Sequence, residues 1–249
     1  MLESKQLGLR PRDRGVLVGA TNTGKSTLAN QLLTDFYDIH LKGVAAKKHG
    51  RILIVDTKPR WRASRTITGG STRRLYRKFV KGDTVDACLL DDLSNFDIAF
   101  DSSTQNGMVV SQRLDLSPSQ HVAWQTAVIN KFYQTQDAKK VGLVYIDECM
   151  DFFGSTGNAR YSDIVQKVVR AGREKNIASL LAVQRPKTIN VQVMSECNLL
   201  YLFRINFSED VKRLWEMGFP HDVMPPSEDF IFRFFRDRKV FPYPVKLAA

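Results

Sequence analysis

Short apolar runs recur along the chain at residues 16–18, 51–56, 141–146, 177–183 and 199–205. They scarcely alternate with polar residues, the pattern of strands buried on both faces of a sheet. Helical patterns lie between them. One begins near Ser26 and carries Leu28, Ala29, Leu32 and Leu33. A second opens at Ser117-Pro118-Ser119-Gln120, which supplies an N-cap, a proline at the first helical position and a Gln three residues after the cap, and runs to about Gln136. A third spans 163–176, with Ile164, Val165, Val168 and Val169 on one face. In the fourth, Ser208 caps a helix carrying Val211, Leu214 and Trp215 that stops near Gly218. Met108-Val109-Val110 begins a further strand ending near Leu116. At the tail, 230–236 and Val240-Phe241 predict a β-hairpin turning at Asp237-Arg238. Residues 82–106 mix acidic residues with small apolar patches and define no element. Strands alternating with helices predict an α/β fold, a mostly parallel sheet covered on both faces.

The length of 249 residues suits one α/β domain, and the apolar fraction of 43% supports a full core. No apolar run is long enough to span a bilayer, so no membrane association is expected, and residues 1–14 carry no signal-peptide stretch. Cys88, Cys149 and Cys197 are scattered and read as free thiols of a reducing cytosol. The net charge of +11 is uneven. From Lys58 to Lys81, Arg60, Arg62, Arg65, Arg73, Arg74, Arg77 and Lys78 occur without one acidic residue, interleaved with Trp61, Tyr76 and Phe79. Clustered cations with aromatics fit a nucleic-acid backbone; a solvated loop would have the same composition.

Candidate chemistry starts at residues 19–27, GATNTGKST, which fit G-x-x-x-x-G-K-[ST] between a strand and a helix. Gly19, Ala20, Thr21, Asn22, Thr23 and Gly24 would wrap phosphates with backbone N–H groups, at a helix start that favours anions. Lys25 would reach the β and γ phosphates, Ser26 would ligate Mg²⁺, and Thr27 would complete the ATP-binding set. An apolar strand then ends in Asp147-Glu148. Asp147 is placed to hold the Mg²⁺ shell and Glu148 to polarise an attacking water, unless the pair serves only as a helix cap. Gln184 ends another apolar strand, either to reach the γ-phosphate or to satisfy a loop.

The ordered set GATNTGKST, ILIVDTKPRW, LVYIDE, GREKNIASLLAVQRP and NLLYLFRINFSEDVKRL resembles the FtsK/HerA superfamily of DNA-pumping P-loop ATPases over roughly residues 12–215. Asp56 and Lys58 match that family's pair after the second strand. Val183 replaces its usual Thr, and Asn176 stands where Gly is common. The resemblance implies a RecA-like (ASCE) three-layer sandwich with sheet order 5-1-4-3-2, binding ATP and Mg²⁺. It also implies a pentameric or hexameric homo-oligomeric ring around double-stranded DNA. Lys25, Glu148 and Gln184 would then be catalytic. Arg173, or Arg170 one turn earlier, would be a finger into the neighbour's site; a surface salt bridge such as Arg170 with Glu174 is the plain alternative. Arg60, Arg62, Arg65, Arg73, Arg74 and Arg77 would grip DNA. Residues 1–249 are thus expected to form a single domain: a motor core at 12–215, a basic insertion at 58–106, and a C-terminal hairpin and tail at 216–249.

Cellular members usually add membrane spans, a β-barrel or a winged helix, for which this length leaves no room. The expectation is a viral genome-packaging motor in the host cytoplasm, docked at a capsid portal or vertex protein. A conjugation-type coupling ATPase shares the core. A GTPase lacks support, because Asn130-Lys131-Phe132-Tyr133 has no aspartate in the base-reading position. A small-molecule kinase would have no use for the basic segment. A binder that kept ATP only structurally would not need Glu148.

Overall fold

A computed structural model describes residues 7–41, 50–57, 62–65, 73–78, 84–102, 108–113, 115–153 and 159–247. Lys58, Arg60 and Trp61 of the basic segment lie outside them. The strands are β1 (Arg14–Val18), β2 (Gly50–Val55), β3 (Arg62–Arg65), β4 (Arg73–Lys78), β5 (Thr84–Leu90) and β6 (Met108–Ser111). They continue with β7 (Val141–Ile146), β8 (Ile177–Val183), β9 (Leu199–Leu202), β10 (Ile231–Arg236), β11 (Lys239–Val240) and β12 (Val245–Lys246). The helices are α1 (Lys25–His40), α2 (Phe96–Ser102), α3 (Pro118–Thr135), α4 (Ala159–Ala171), α5 (Val191–Glu196) and α6 (Ser208–Glu216). No helix of the described residues is long and apolar enough to cross a membrane.

All these strands join one sheet in the order β11-β10-β9-β1-β8-β7-β2-β6-β5-β4-β3, with β12 against β10. From β9 to β5 every neighbouring pair is parallel. The expected order 5-1-4-3-2 appears as the consecutive strands β9-β1-β8-β7-β2, but it is only the middle of a larger sheet. β10 adds antiparallel to β9, and β6, β5, β4 and β3 extend the other side. The tail hairpin likewise belongs to the sheet. Asp237 and Arg238 turn it with φ of 50° and 64°, the left-handed pair of a type I′ turn. β12 pairs with the other end of β10, at Ile231 and Phe232.

Two apolar layers cover the sheet. Leu17 of β1 and Ile52 and Ile54 of β2 pack with Leu28, Leu32, Leu33 and Phe36 of α1. Val16, Val18, Leu53 and Val55 point the other way, into a cluster with Val128 and Phe132 of α3, Val165 and Val168 of α4, and Leu214 of α6. The period-2 alternation sends successive side chains of one strand to opposite layers, which explains why these strands read as continuous apolar runs.

Helix α3 starts as expected. The Ser117 backbone N donates to Gln120 Oε1 at 3.0 Å, and the Ser117 hydroxyl donates to the same oxygen at 2.8 Å. Helix α6 differs from expectation: extended Phe207 is its N-cap and Ser208 its first helical residue. The Phe207 ring lies 4.0 Å from the Arg185 guanidinium, a cation–π contact at the start of the helix. β6 stops at Ser111 and β9 at Leu202, both short of their sequence-based ends. The basic segment, read as part of a basic insertion at 58–106, contributes the antiparallel strands β3 and β4.

Candidate nucleotide site

The loop after β1 hangs from both neighbouring strand ends. Gly19 N donates to Val183 O at 3.1 Å and Ala20 N to Arg204 O at 2.8 Å. The Thr23 hydroxyl closes the loop onto Ala20 O at 2.9 Å. A methyl group on Gly19 would come within 2.6 Å of Phe203 Cβ, and Gly24 sits at φ 102°, a left-handed conformation open to glycine. Lys25, the first helical residue, is buried, with Nζ 2.6 Å from both Gly19 O and Ala20 O. Its ammonium is therefore held inside the loop it would share with phosphates.

The acid pair faces this loop from the end of β7. Asp147 is fixed on three sides. Its N donates to Val55 O at 3.1 Å, its carbonyl accepts from the Thr57 hydroxyl at 2.9 Å, and its Oδ1 accepts from the Tyr145 hydroxyl at 3.1 Å. Glu148 is 3% exposed and occupies the left-handed region at φ 51°, where a non-glycine residue costs about 1 kcal/mol or more. Gln184, just past β8, joins the two sides. Its Nε2 donates to Glu148 Oε1 at 2.7 Å, and its Oε1 accepts from the Thr21 hydroxyl at 3.3 Å. The parallel pairing of β8 with both β1 and β7 places Gln184 between loop and carboxylate.

These groups line a cleft of about 690 Å³, inside the range of roughly 300–1,000 Å³ that suits small ligands. Thr21, Asn22, Gly24, Lys25, Ser26, Thr27, Asp147, Glu148 and Gln184 all reach it. The donors fit a magnesium nucleotide. Ser26 and Asp147 offer hard oxygen ligands, and among the described residues no cluster of three His, Cys, Asp or Glu exists to cage an ion by itself. Mg²⁺ is characteristically held this way, by one or two protein oxygens with substrate phosphates and water.

Other expected residues lie elsewhere. Arg170 lies in the last turn of α4 and Arg173 sits on the single 3-10 turn Gly172–Lys175 that precedes β8; both are exposed. Neither forms an ion pair among the described residues, so the Arg170–Glu174 bridge is not formed. Arg73, Arg74 and Arg77 lie on β4 and Arg62 and Arg65 on β3, four and five strand positions from β7 at the sheet's far edge. At about 4.8 Å per strand that is roughly 19–24 Å from the acid pair, so the structure does not bring these arginines to the cleft. Cys149 and Cys197 are free thiols; burial raises the Cys149 thiol well above its usual range and pushes Cys197 up to about 12, so both are inert packing groups.

Sequence reasoning missed several contributors. Asp229 and Phe230 complete the cleft wall from a segment more than 200 residues after the loop. Phe230 N donates to Thr23 O at 2.9 Å, and Asp229 accepts from Arg204 Nε at 2.9 Å. Nothing local in Asp229-Phe230 announces this; the pairing of β10 with β9 brings it about. Tyr145 and Thr57, the supports of Asp147, were visible only as strand-end residues.

The fold is α/β with a mostly parallel central sheet, similar to that of P-loop NTPases. Among solved structures, the chain is similar to the genome-packaging NTPase B204 of Sulfolobus turreted icosahedral virus 2. The sulfate complex matches with a TM-score of 0.58 at 12% identity, covering 97% of this chain and 99% of that one. The complex with ATP-gammaS matches with a TM-score of 0.57 at 13% identity, covering 97% and 100%. It is also similar to ATPases 2 and 3 of EssC from Geobacillus thermodenitrificans, with a TM-score of 0.51 at 8% identity over 91% of this chain and 38% of that one. At these identities it is the fold that is shared: α/β, with a mostly parallel central sheet. No protein-family model and no curated protein matches the sequence.

Proposed function

We propose that this protein is an ATPase that couples hydrolysis to translocation of double-stranded DNA, working as a genome-packaging motor. The observation that carries the ATPase reading is the hydrogen-bonded chain Thr21–Gln184–Glu148, which spans the cleft between the phosphate loop and a buried carboxylate. A structural nucleotide site would need the loop but not the carboxylate on its far side.

Each residue has a physical role in this reading. Backbone N–H groups of residues 19–24 cradle the phosphates, and Lys25 exchanges its loop carbonyls for β and γ oxygens. Ser26 and Asp147 would hold Mg²⁺, which would supply positive charge against the phosphates. Tyr145 and Thr57 keep Asp147 in register. Glu148 accepts the proton of the attacking water. Gln184 can trade either partner for a phosphate oxygen or that water, so its amide links nucleotide state to the loop. DNA as substrate is supported by the likeness to B204, described as a DNA-packaging ATPase, and by the basic edge at β3 and β4. Residues 12–215 would be the motor core of a homo-oligomeric ring docked at a capsid portal or vertex protein.

Two variants separate the roles. Lys25→Ala is expected to abolish tight Mg·ATP binding. Glu148→Gln is expected to bind Mg·ATP normally while turnover falls about 100-fold or more. Near-normal turnover in Glu148→Gln would remove the assignment. Stimulation of the wild-type rate by duplex DNA, measured beside it, tests the pump; a rate indifferent to DNA would leave an ATPase of another purpose.

A further inference from the structure

Apart from Gly24 and Phe230, every residue lining the cleft has a polar or charged side chain. Phe230 is the only aromatic and the only large apolar side chain among its described lining residues. The loop, Lys25, Asp147, Glu148 and Gln184 account for a triphosphate, but they offer nothing to the flat apolar rings at the other end of a nucleotide. We propose that Phe230 is the platform on which the base stacks. This deepens the nucleotide-site reading above and rests on it.

Three independent features support the assignment. Phe230 is 44% exposed, unlike the buried Phe203, Phe232 and Phe234 in the layer beneath, and it lines the cleft. The backbone holds it there against its own preference. Phe230 has φ 59°, and a bulky residue in that region is a conformational outlier. Such strain persists only where the surroundings fix it, and it gathers at functional positions. Here the surroundings do fix it: Phe230 N donates to Thr23 O at 2.9 Å, Leu247 N donates to Phe230 O at 2.8 Å, and the preceding Asp229 is paired with Arg204. Arg204 is also the residue whose carbonyl accepts from Ala20 N, so the platform and the phosphate loop hang from one anchor. Finally, Gly24 leaves the ring room. A Cβ there would lie 3.0 Å from Phe230 Cδ1. The ring therefore packs directly on the loop that holds the phosphates, within the reach of one nucleotide.

Stacking is tolerant of base identity because every base presents a π-face. The platform should therefore separate nucleoside triphosphates from inorganic polyphosphate rather than ATP from GTP. Titration calorimetry with Mg·ATP and with inorganic tripolyphosphate tests this on wild type, Phe230→Ala, Phe230→Leu and Phe230→Trp. Loss of a stacked base typically weakens binding about 10-fold or more. ATP affinity is expected to fall by that factor in Phe230→Ala and in Phe230→Leu, which keeps apolar bulk without a π-face, and to hold in Phe230→Trp. Tripolyphosphate affinity should stay level in all four proteins. Unchanged ATP affinity in Phe230→Ala, or a parallel loss of both ligands, would overturn the platform and make the ring a prop for the loop. A wild-type protein that binds neither ligand would instead remove the nucleotide site itself, and the platform with it.

Discussion

Asp210 is wholly removed from solvent, and two groups share its carboxylate: Arg185 Nε at 2.6 Å and the Lys187 backbone N at 3.1 Å. Arg185 follows Gln184, so this pair ties the strand end that carries Gln184 to α6. Removing the cation strands a buried anion, which in a fully buried pair costs about 3–5 kcal/mol; the Arg185 side chain is 30% exposed, so roughly 2–3 kcal/mol is expected for Arg185→Ala. Asp210→Asn keeps an acceptor for Lys187 N and should cost about 1–2 kcal/mol. Urea denaturation should therefore rank Arg185→Ala as the less stable variant, with the double variant recovering part of the loss. Equal, additive losses would show that the two side chains act independently. The same scale shows what sequence reveals. Asn176, a departure from the family pattern, takes φ 57°, so it fills the left-handed position for which glycine is otherwise used. Residue type made the loop and the acid pair stand out as candidates, because such chemistry restricts them to few side chains; Gln184 stood out only through the FtsK/HerA resemblance. Phe230 was not readable, since its role depends on a backbone angle set by contacts distant in sequence.

Among the elements, the most legible were those whose signals are local. Strands β7 and β8 are apolar runs broken in β8 only by Ser179, and α3 carries its own cap. Strand β5 and helix α2 were not legible. Thr84–Leu90 forms a strand because β4 and β6 flank it, and Phe96 and Phe100 make α2 adhere to the core at Phe132. Such elements depend on their neighbours more than on propensity. The edge pair β3–β4 belongs to the same class, and its position makes a test possible. Because β4 stands roughly 19 Å from the acid pair by strand spacing, changing its charge should spare ATP binding. In the triple variant Arg73→Gln, Arg74→Gln, Arg77→Gln, duplex DNA affinity is expected to fall for all sequences alike. Its slope against salt should also shallow, by up to about one for each phosphate that is no longer neutralised. Filter binding across a salt series reads both. A variant whose slope matches wild type would assign this edge to a solvated face or a subunit contact.

At the scale of the whole molecule, the sheet separates the candidate finger from its own site. Arg173 precedes the first residue of β8 and Gln184 follows the last. Seven strand residues at about 3.3 Å each put roughly 23 Å between those ends. A cationic side chain there cannot complete the cleft of its own chain, but in a ring it can face a neighbour's. This geometry turns the trans role into a mixing experiment. Arg173→Ala and Glu148→Gln subunits should each be inactive alone. In mixed rings some interfaces pair an intact Glu148 with an intact Arg173 from the adjacent subunit, so ATPase activity should partly return. The recoverable effect is large, because an arginine finger contributes about 10³-fold or more in phosphoryl-transfer sites. Wild-type activity should also rise more than linearly with protein concentration, since a lone subunit lacks the finger. If mixed rings form, as shown by crosslinking, and remain inactive, Arg173 is structural. Arg170, exposed at the end of α4, is then the residue to carry through the same complementation.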